Sequence, residues 1–476
     1  MVFRLHLRAN AAFAAAGPLL VVVLLYVFAE EVGGGPDGYW VAGTAKAVSA
    51  LMFIAPVVAA CAAWEAGRLR RAGVAGGAPV RGGFRIAMAS LSPVLALGLL
   101  ALLVSLVGVR VGMAAAPGWP EPTILAAAVV TLCGWLAVGY ALGVWLPPAA
   151  SVPLALVGGY LWQVYPPALE PLWLRHLTQP ARGCCTSADA VAAGGLSGPA
   201  LAAVALAGTA VAAAALSRRA PRRGAPGGAR SVLVTAVALL VASATGVAAV
   251  RAVSGLGPDA VAARSADELV CADAGAATRV CVWPEHERRL DETVEVVRTA
   301  VAGLAPVGIA PPALVTELPH QAAQYEPAAG GEDGAVTGGA VTDGAATDDS
   351  ASGGTPPSTG SPDQWTITVR AATSFTTDDI RAGLAADLAG ALLDGGSRTP
   401  AADCPADPAD AADQGFQAAN HLFAWLAVRA GTEPQEARDR FDPQLWTAVG
   451  AALDGDDAAQ AAWFRATLDR AGCAPR

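Results

Sequence analysis

Eight cysteines, five histidines and a few isolated carboxylates are the side chains with the widest chemistry in this sequence, so their spacing is read first. Cys184, Cys185, Cys271, Cys281, Cys404 and Cys473 lie outside the long apolar runs, whereas Cys61 and Cys133 fall inside them, where a thiol packs as a small hydrophobe. No CxxC spacing occurs, so zinc binding is not expected. An even set of six cysteines favours disulfides in an oxidising compartment. LVCAD and RVCVW read as two short strands around the turn residues AGAAT, which predicts a Cys271–Cys281 bridge between neighbouring strands. Cys404 is expected to pair with Cys473, tying the C-terminal segment back to a loop. Cys184 and Cys185 are either joined to each other or free.

The pair His286-Glu287 begins a zinc-peptidase HExxH pattern, but Arg288, Arg289 and Leu290 follow and the second histidine is missing. LAADLAGALLDG, residues 384–395, has the apolar rhythm of a metal-binding helix, yet Ala386 and Gly390 stand where histidines are needed and Asp387 where the glutamate is needed. A degenerate, non-catalytic relative of a zinc peptidase is the most these residues support. His176, His286, His320 and His421 are not spaced as local ligands and read as hydrogen-bonded or exposed histidines. GxSxG and GxxxxGK[ST] are absent. The chain is therefore expected to be no enzyme, with no catalytic residue, no metal and no cofactor.

The elements that position these residues are of two kinds. With 476 residues, 54% of them hydrophobic, the chain is too apolar for an ordinary soluble protein and far too long for one membrane span. A bilayer core of ~30 Å needs roughly 20 apolar residues per helix. Seven stretches qualify, at approximately 11–29, 45–64, 86–109, 123–144, 149–165, 198–217 and 231–251. The run at 11–29 is longer than a signal-peptide core and is read as a span. The fifth is the weakest, being short and followed by Tyr165, Pro166 and Pro167; as a re-entrant segment it would reverse everything downstream.

Charge divides the chain further. Up to Arg251 there are 17 Lys/Arg against 7 Asp/Glu, and beyond it 14 against 33. Short cytoplasmic loops keep Lys and Arg, and short translocated loops largely exclude them. Arg4 and Arg8, then Arg68, Arg70, Arg71, Arg81 and Arg85, then Arg218, Arg219, Arg222, Arg223 and Arg230 mark three inside segments. Residues 30–44, with Glu30, Glu31 and Asp37 and no arginine, face outside. The expected fold is thus a multi-pass α-helical membrane domain over 1–252, N-terminus in and C-terminus out, followed by an extracytoplasmic α+β domain over 253–476. The location is the cell membrane, with lipid as the first partner. The acidity of the outer half disfavours nucleic acid.

Within that outer half, strands are expected in the 269–283 hairpin, at 313–317 and at 365–369, with helices at 287–303, 377–394 and over 413–471. Leu290, Val294, Val297 and Leu304 share one helix face; Thr376 and Asp379 form a capping-box pattern. Residues 326–362 are Gly, Ala, Thr, Ser and Asp with almost no large apolar side chain, a composition of disorder.

The remaining feature is WEAGRLRRAGVAGGAPVRGGFR, residues 64–85. Trp64-Glu65-Ala66-Gly67 followed by Pro79-Val80-Arg81 resembles the segment after the second span of ABC-2 type transporter permeases. There, a Glu with a nearby Gly opens an amphipathic cytoplasmic helix that ends in a Pro-Val-(Ser)-Arg element. The interval from Gly67 to Pro79 is about three residues longer than that pattern, with Arg, Ala and Gly in place of leucines. The resemblance implies that Glu65, Gly67, Pro79 and Arg81 dock on a separate ATP-binding-cassette subunit and that membrane subunits work in pairs, as a homo- or heterodimer. It makes the chain a permease-like subunit of an ABC-type transport system. The alternative is a membrane-anchored outer domain that binds a ligand or an envelope protein without transport; a plain cationic inside loop accounts for the arginines under either reading.

Overall fold

Long apolar runs offer the backbone no water to bond, so each satisfies its own N–H and C=O groups as a helix. A computed structural model of the chain describes residues 10–32, 38–73, 83–113, 116–217, 228–275, 277–317, 364–367, 369, 376–394 and 404–473. The runs become α1 (Ala11–Val32), α2 (Trp40–Ser49), α3 (Leu51–Arg71), α4 (Gly83–Gly112), α5 (Pro122–Trp145), α6 (Pro148–Val164), α7 (Ala193–Ser217) and α8 (Gly228–Val253). Among the described residues, six of them (α1, α3, α4, α5, α7 and α8) are long and apolar enough to cross a membrane. The chain therefore has the architecture of a multi-pass helical membrane protein. It divides into two compact units, Met1–Ala262 and Ala263–Arg476. The boundary falls ten residues later than the expected 252 because 257–260 bond back into the first unit, Ala192 N–H donating to the Ala260 carbonyl at 3.0 Å.

Two expected spans are corrected in detail. The stretch 45–64 is not one helix: α2 ends at Ser49, and α3 runs on to Arg71. Hydropathy falls at Trp64, but Ala, Leu and Arg are good helix formers and nothing at Glu65 interrupts the ladder. The stretch 149–165 is a helix of 17 residues, about 25 Å long and shorter than the six helices long enough to cross.

The directions of the helices follow from which small residues meet. A Cβ at Gly139 or Gly143 would overlap the carbonyls of Ala59 and Ala63, so α5 lies parallel to α3 with its backbone against that helix. Gly67 meets Pro148, while at the far end the Phe53 and Tyr160 rings stack at 6.2 Å, so α6 is antiparallel to α3 along its whole length. Gly134 meets Ala203 and Trp145 Nε1 donates to the Ala213 carbonyl at 3.0 Å, making α7 parallel to α5. Gly194 and Gly208 meet Ala252 and Ala238, making α8 antiparallel to α7. Between the parallel pair α5 and α7, the short α6 carries the chain from one end of the bundle to the other. Trp64 and Trp145 are exposed at one end and Trp119 and Tyr165 at the other, the placement of interfacial aromatics.

The second unit is α+β. Its strands β1 (Val270–Asp273), β2 (Arg279–Val282), β3 (Leu314–Thr316) and β4 (Gln364–Thr366) form one sheet in that order, antiparallel between the first two and parallel thereafter. The helices are α9 (Leu290–Leu304), α10 (Thr377–Asp394), α11 (Pro408–Arg429), α12 (Pro434–Arg440), α13 (Pro443–Leu453) and α14 (Asp457–Ala471). The expected face is buried: Leu290, Val294, Val297 and Leu304 of α9 join Ile380, Leu384 and Leu388 of α10, Val315, Trp365 and Trp425 in one core, with Leu392, Trp446 and Trp463 partly buried at its edge. The capping box forms as written, Thr376 N–H donating to Asp379 Oδ2 at 2.7 Å and Asp379 N–H to Thr376 Oγ1 at 3.3 Å. Gly431 at φ 101° ends α11, a conformation that suits glycine. The stretch 326–362 lies outside the described residues.

Candidate functional site

The segment Trp64–Arg71 is the last two turns of α3, and its chemistry centres on Glu65. A carboxylate at the end of an apolar helix is costly to bury unless donors surround it. Glu65 is 0% exposed and has three. Its Oε1 accepts from Ala11 N–H at 2.9 Å, and its Oε2 accepts from Ser90 Oγ at 2.9 Å and lies 2.7 Å from Arg68 Nη2. Asn10 completes the group: its Oδ1 accepts from Ala12 N–H and its Nδ2 donates to the Ser90 carbonyl, both at 3.0 Å. The first N–H groups of a helix have no partner of their own and carry its positive dipole end. One side chain of α3 and the residue preceding α1 thus cap α1, and both are tied to α4 through Ser90.

That geometry redistributes the four expected docking residues. Glu65 presents no surface to a partner, because its oxygens are consumed in holding α1, α3 and α4 together. Gly67 is also internal, since a Cβ there would come within 2.8 Å of Pro148 Cγ; it lets α3 and α6 close up. Pro79 and Arg81 lie outside the described residues. The expected new helix does not open at Glu65. What the end of α3 does present is cationic: Arg70 Nη1 donates to the Val144 carbonyl at 3.2 Å, favourable at the C-terminus of α5, and Arg71 lies exposed with its guanidinium 5.6 Å from the Trp64 ring centroid.

Beside this cluster, a groove of about 890 Å³ runs between α1, α3 and α6, from Asn10 and Trp64 at one end to Phe53 and Tyr160 at the other. Its walls are otherwise almost wholly apolar, with Pro18, Leu19, Pro56 and Leu156 among them. Such a surface offers almost no polar partner to a ligand.

In the second unit the cysteines pair as expected. Cys271 and Cys281 are register partners with Cα atoms 4.1 Å apart, and Cys404 bonds Cys473 with Cα atoms 5.5 Å apart. In the first unit Cys184 is joined to Cys185, the bridged one of the two states left open. The histidine singled out in the HE pair has a different partner: His286 Nδ1 lies 2.8 Å from Glu317 Oε1, whose carboxylate also accepts from Trp283 N–H at 2.6 Å and Val369 N–H at 3.2 Å. Burial pushes the Glu317 carboxyl up, while the His286 ring and those N–H groups pull it back. Both side chains are almost completely buried. They knit together the ends of β2, β3 and β4 and have no access to a substrate. Arg264 lies close by, forked onto Glu285 at 3.0 and 3.1 Å and 4.4 Å from the Trp283 ring centroid. Among the described residues no three His, Cys, Asp or Glu converge as a metal site. The sequence did not single out Asn10, Ser90 or Glu317, which lie far from their partners in the chain.

A family model described as a domain of unknown function, DUF7224, matches residues 354–471. That stretch holds β4 and α10 to α14 but not β1 to β3 or α9, with which they share one core. No curated protein matches the chain, and no solved structure matches it.

Proposed function

We propose that the chain is the membrane subunit of an ABC-type transport system in the cell membrane, crossing the bilayer seven times with its N-terminus inside and the unit after Ala262 outside. The orientation rests on the arginines of 68–85 and 218–230 and on the path of α6, whose 17 residues return the chain between the parallel helices α5 and α7. The acidity of the second half and its cysteine pairs suit an oxidising exterior.

The observation that carries the transport reading is the Glu65 cluster. Three helices are locked together at the end of α3 that carries Arg70 and Arg71, so a push on those side chains is passed to α1, α3 and α4 as one body. On this reading Glu65 and Gly67 position the docking segment, and Arg71, Pro79 and Arg81 meet the ATPase. Co-purification in mild detergent tests it: a nucleotide-binding ATPase accompanies the wild-type chain, and Arg71→Glu with Arg81→Glu lowers its recovery at least tenfold. If none accompanies the wild type, the permease reading fails and the anchored outer domain without transport takes its place.

A further inference from the structure

The end of the bundle opposite Glu65 holds a second buried polar group, and its charges do not balance. The segment after α6 folds back over the bundle: His176 Nε2 contacts the Gly257 carbonyl at 2.8 Å, and Arg175 Nη1 donates to the Pro258 carbonyl at 3.2 Å. Arg182 Nη1 reaches the Gln163 carbonyl at 3.4 Å. With the Gln179 amide turned to satisfy both its atoms, its oxygen accepts from Arg182 at 2.9 Å and its nitrogen donates to the Ser49 carbonyl at 3.3 Å. Ser49 in turn hydrogen-bonds Tyr26 of α1 at 2.9 Å. Residues from α1, α2, α6 and the loop therefore surround one guanidinium.

Two features of this group are unexpected in a finished interior. Gln163 is 0% exposed and both atoms of its amide are unpartnered; His176 is 1% exposed and its Nδ1 is unpartnered, as is Arg175 Nε. Buried amides and rings are nearly always hydrogen-bonded. Secondly, Arg175 and Arg182 lie near enough for their charges to interact, and among the described residues neither forms an ion pair with a carboxylate; Asp259 is the carboxylate felt at His176. Burial, and then the charge of Arg175, lower the Arg182 guanidinium below its usual value, and burial lowers His176. Two cations beside the orphaned Gln163 amide N–H and Arg175 Nε supply the donors of an oxyanion site, since a guanidinium fork and amide N–H groups suit phosphate or carboxylate oxygens.

We infer that Arg175, Arg182 and Gln163 bind a phosphate-type oxyanion, free or as the headgroup of an anionic lipid. The bound group takes the donors that the protein leaves unmatched and neutralises the two arginines. The site is independent of the Glu65 end, lying 14 residues of α3 away, roughly 20 Å, and it requires no ATPase.

The test uses the full chain in detergent. Inorganic phosphate is titrated against thermal unfolding, and native mass spectrometry scores phosphatidylglycerol retained from mixed micelles. Arg182→Gln weakens whichever ligand binds at least tenfold, as does Arg175→Gln, while Arg251→Gln, which removes an equal charge from exposed α8, does not. Phosphate binding that Arg182→Gln weakens assigns a free anion; retention of phosphatidylglycerol without phosphate binding assigns a headgroup. The inference is overturned if the wild-type chain binds neither, a result that needs no variant, or if Arg175→Gln and Arg251→Gln bind as the wild type does. Should Arg182→Gln fail to fold, Arg175→Gln and Gln163→Leu decide in its place.

Discussion

Leu240 on α8 is 71% exposed and Leu384 on α10 is wholly buried, although both sit on well-formed helices of one chain. The contrast holds across the two units. Among the described residues every exposed large hydrophobic belongs to the first unit except Phe416. The second unit sorts its side chains as water demands, with an apolar core and polar helix surfaces. The first is apolar outside, and its helices are held by close backbone approach at Gly139 and Gly143 and by a few buried polar contacts. Helix content alone does not distinguish the two; what each exposes does, and it identifies the medium each was built for.

Several substitutions sharpen this comparison. Removing the Cys404–Cys473 bridge as a double Ser variant frees a loop of sequence separation 69 and costs the second unit about 4 kcal/mol. Its unfolding midpoint falls in calorimetry while the bundle's does not. Glu65→Ala strips the donors at Ala11, Ser90 and Arg68 of their acceptor and destabilises the bundle by about 3 kcal/mol, the lower end for a broken buried pair because Arg68 is partly exposed. Thermal aggregation in detergent reads that loss, and the Cys271–Cys281 bridge still forms. A mild contrast uses the same change in both units. Gly139→Ala drives a methyl into the Ala59 carbonyl and costs about 2 kcal/mol, whereas Gly390→Ala in α10 meets nothing and stabilises by about 0.5–1 kcal/mol.

The smallest effect is one of pH and belongs to the second unit. The Arg289 fork holds Glu292 below its usual 4.5, and the Thr376 N–H holds Asp379 below its usual 3.8. The folded state releases these protons more readily than the unfolded chain. The stabilisation is therefore present above those ordinary values and is lost as pH falls below them toward the lower folded ones. Both groups are about one-third exposed, so the contribution is below about 1 kcal/mol and shrinks in high salt. Denaturant midpoints at pH 6 and pH 3, with and without salt, measure it in the wild type against Glu292→Gln.

Much of this architecture was legible because it is local. The Cys271–Cys281 hairpin, the Thr376–Asp379 box and the stripe Leu290, Val294, Val297, Leu304 depend on residues within a few positions of one another. Division of the stretch after Asp407 into α11 to α14 was also written locally, in Asp407-Pro408 and Asp442-Pro443, where an aspartate caps and a proline opens the first turn. The sites were harder to read, since their partners are brought together only by packing: Glu65 to Ala11 spans 54 positions and His286 to Glu317 spans 31. Glu65 stood out as a charge next to an apolar run, which marks it as used but does not say whether a helix end or another protein uses it. The extension of α3 past Trp64 was obscured for a related reason: hydropathy reports the medium, not where a helix ends.

The central claim is that the chain crosses the bilayer seven times and leaves its disulfide-bearing unit outside. Impermeant maleimide labelling of Cys271 and Cys404, after treatment of intact cells with an impermeant reductant, tests it most directly. The account predicts labelling of both in intact cells, at the level seen after lysis. Labelling only after lysis would place the second unit in the cytoplasm and contradict the seven-span path through α6.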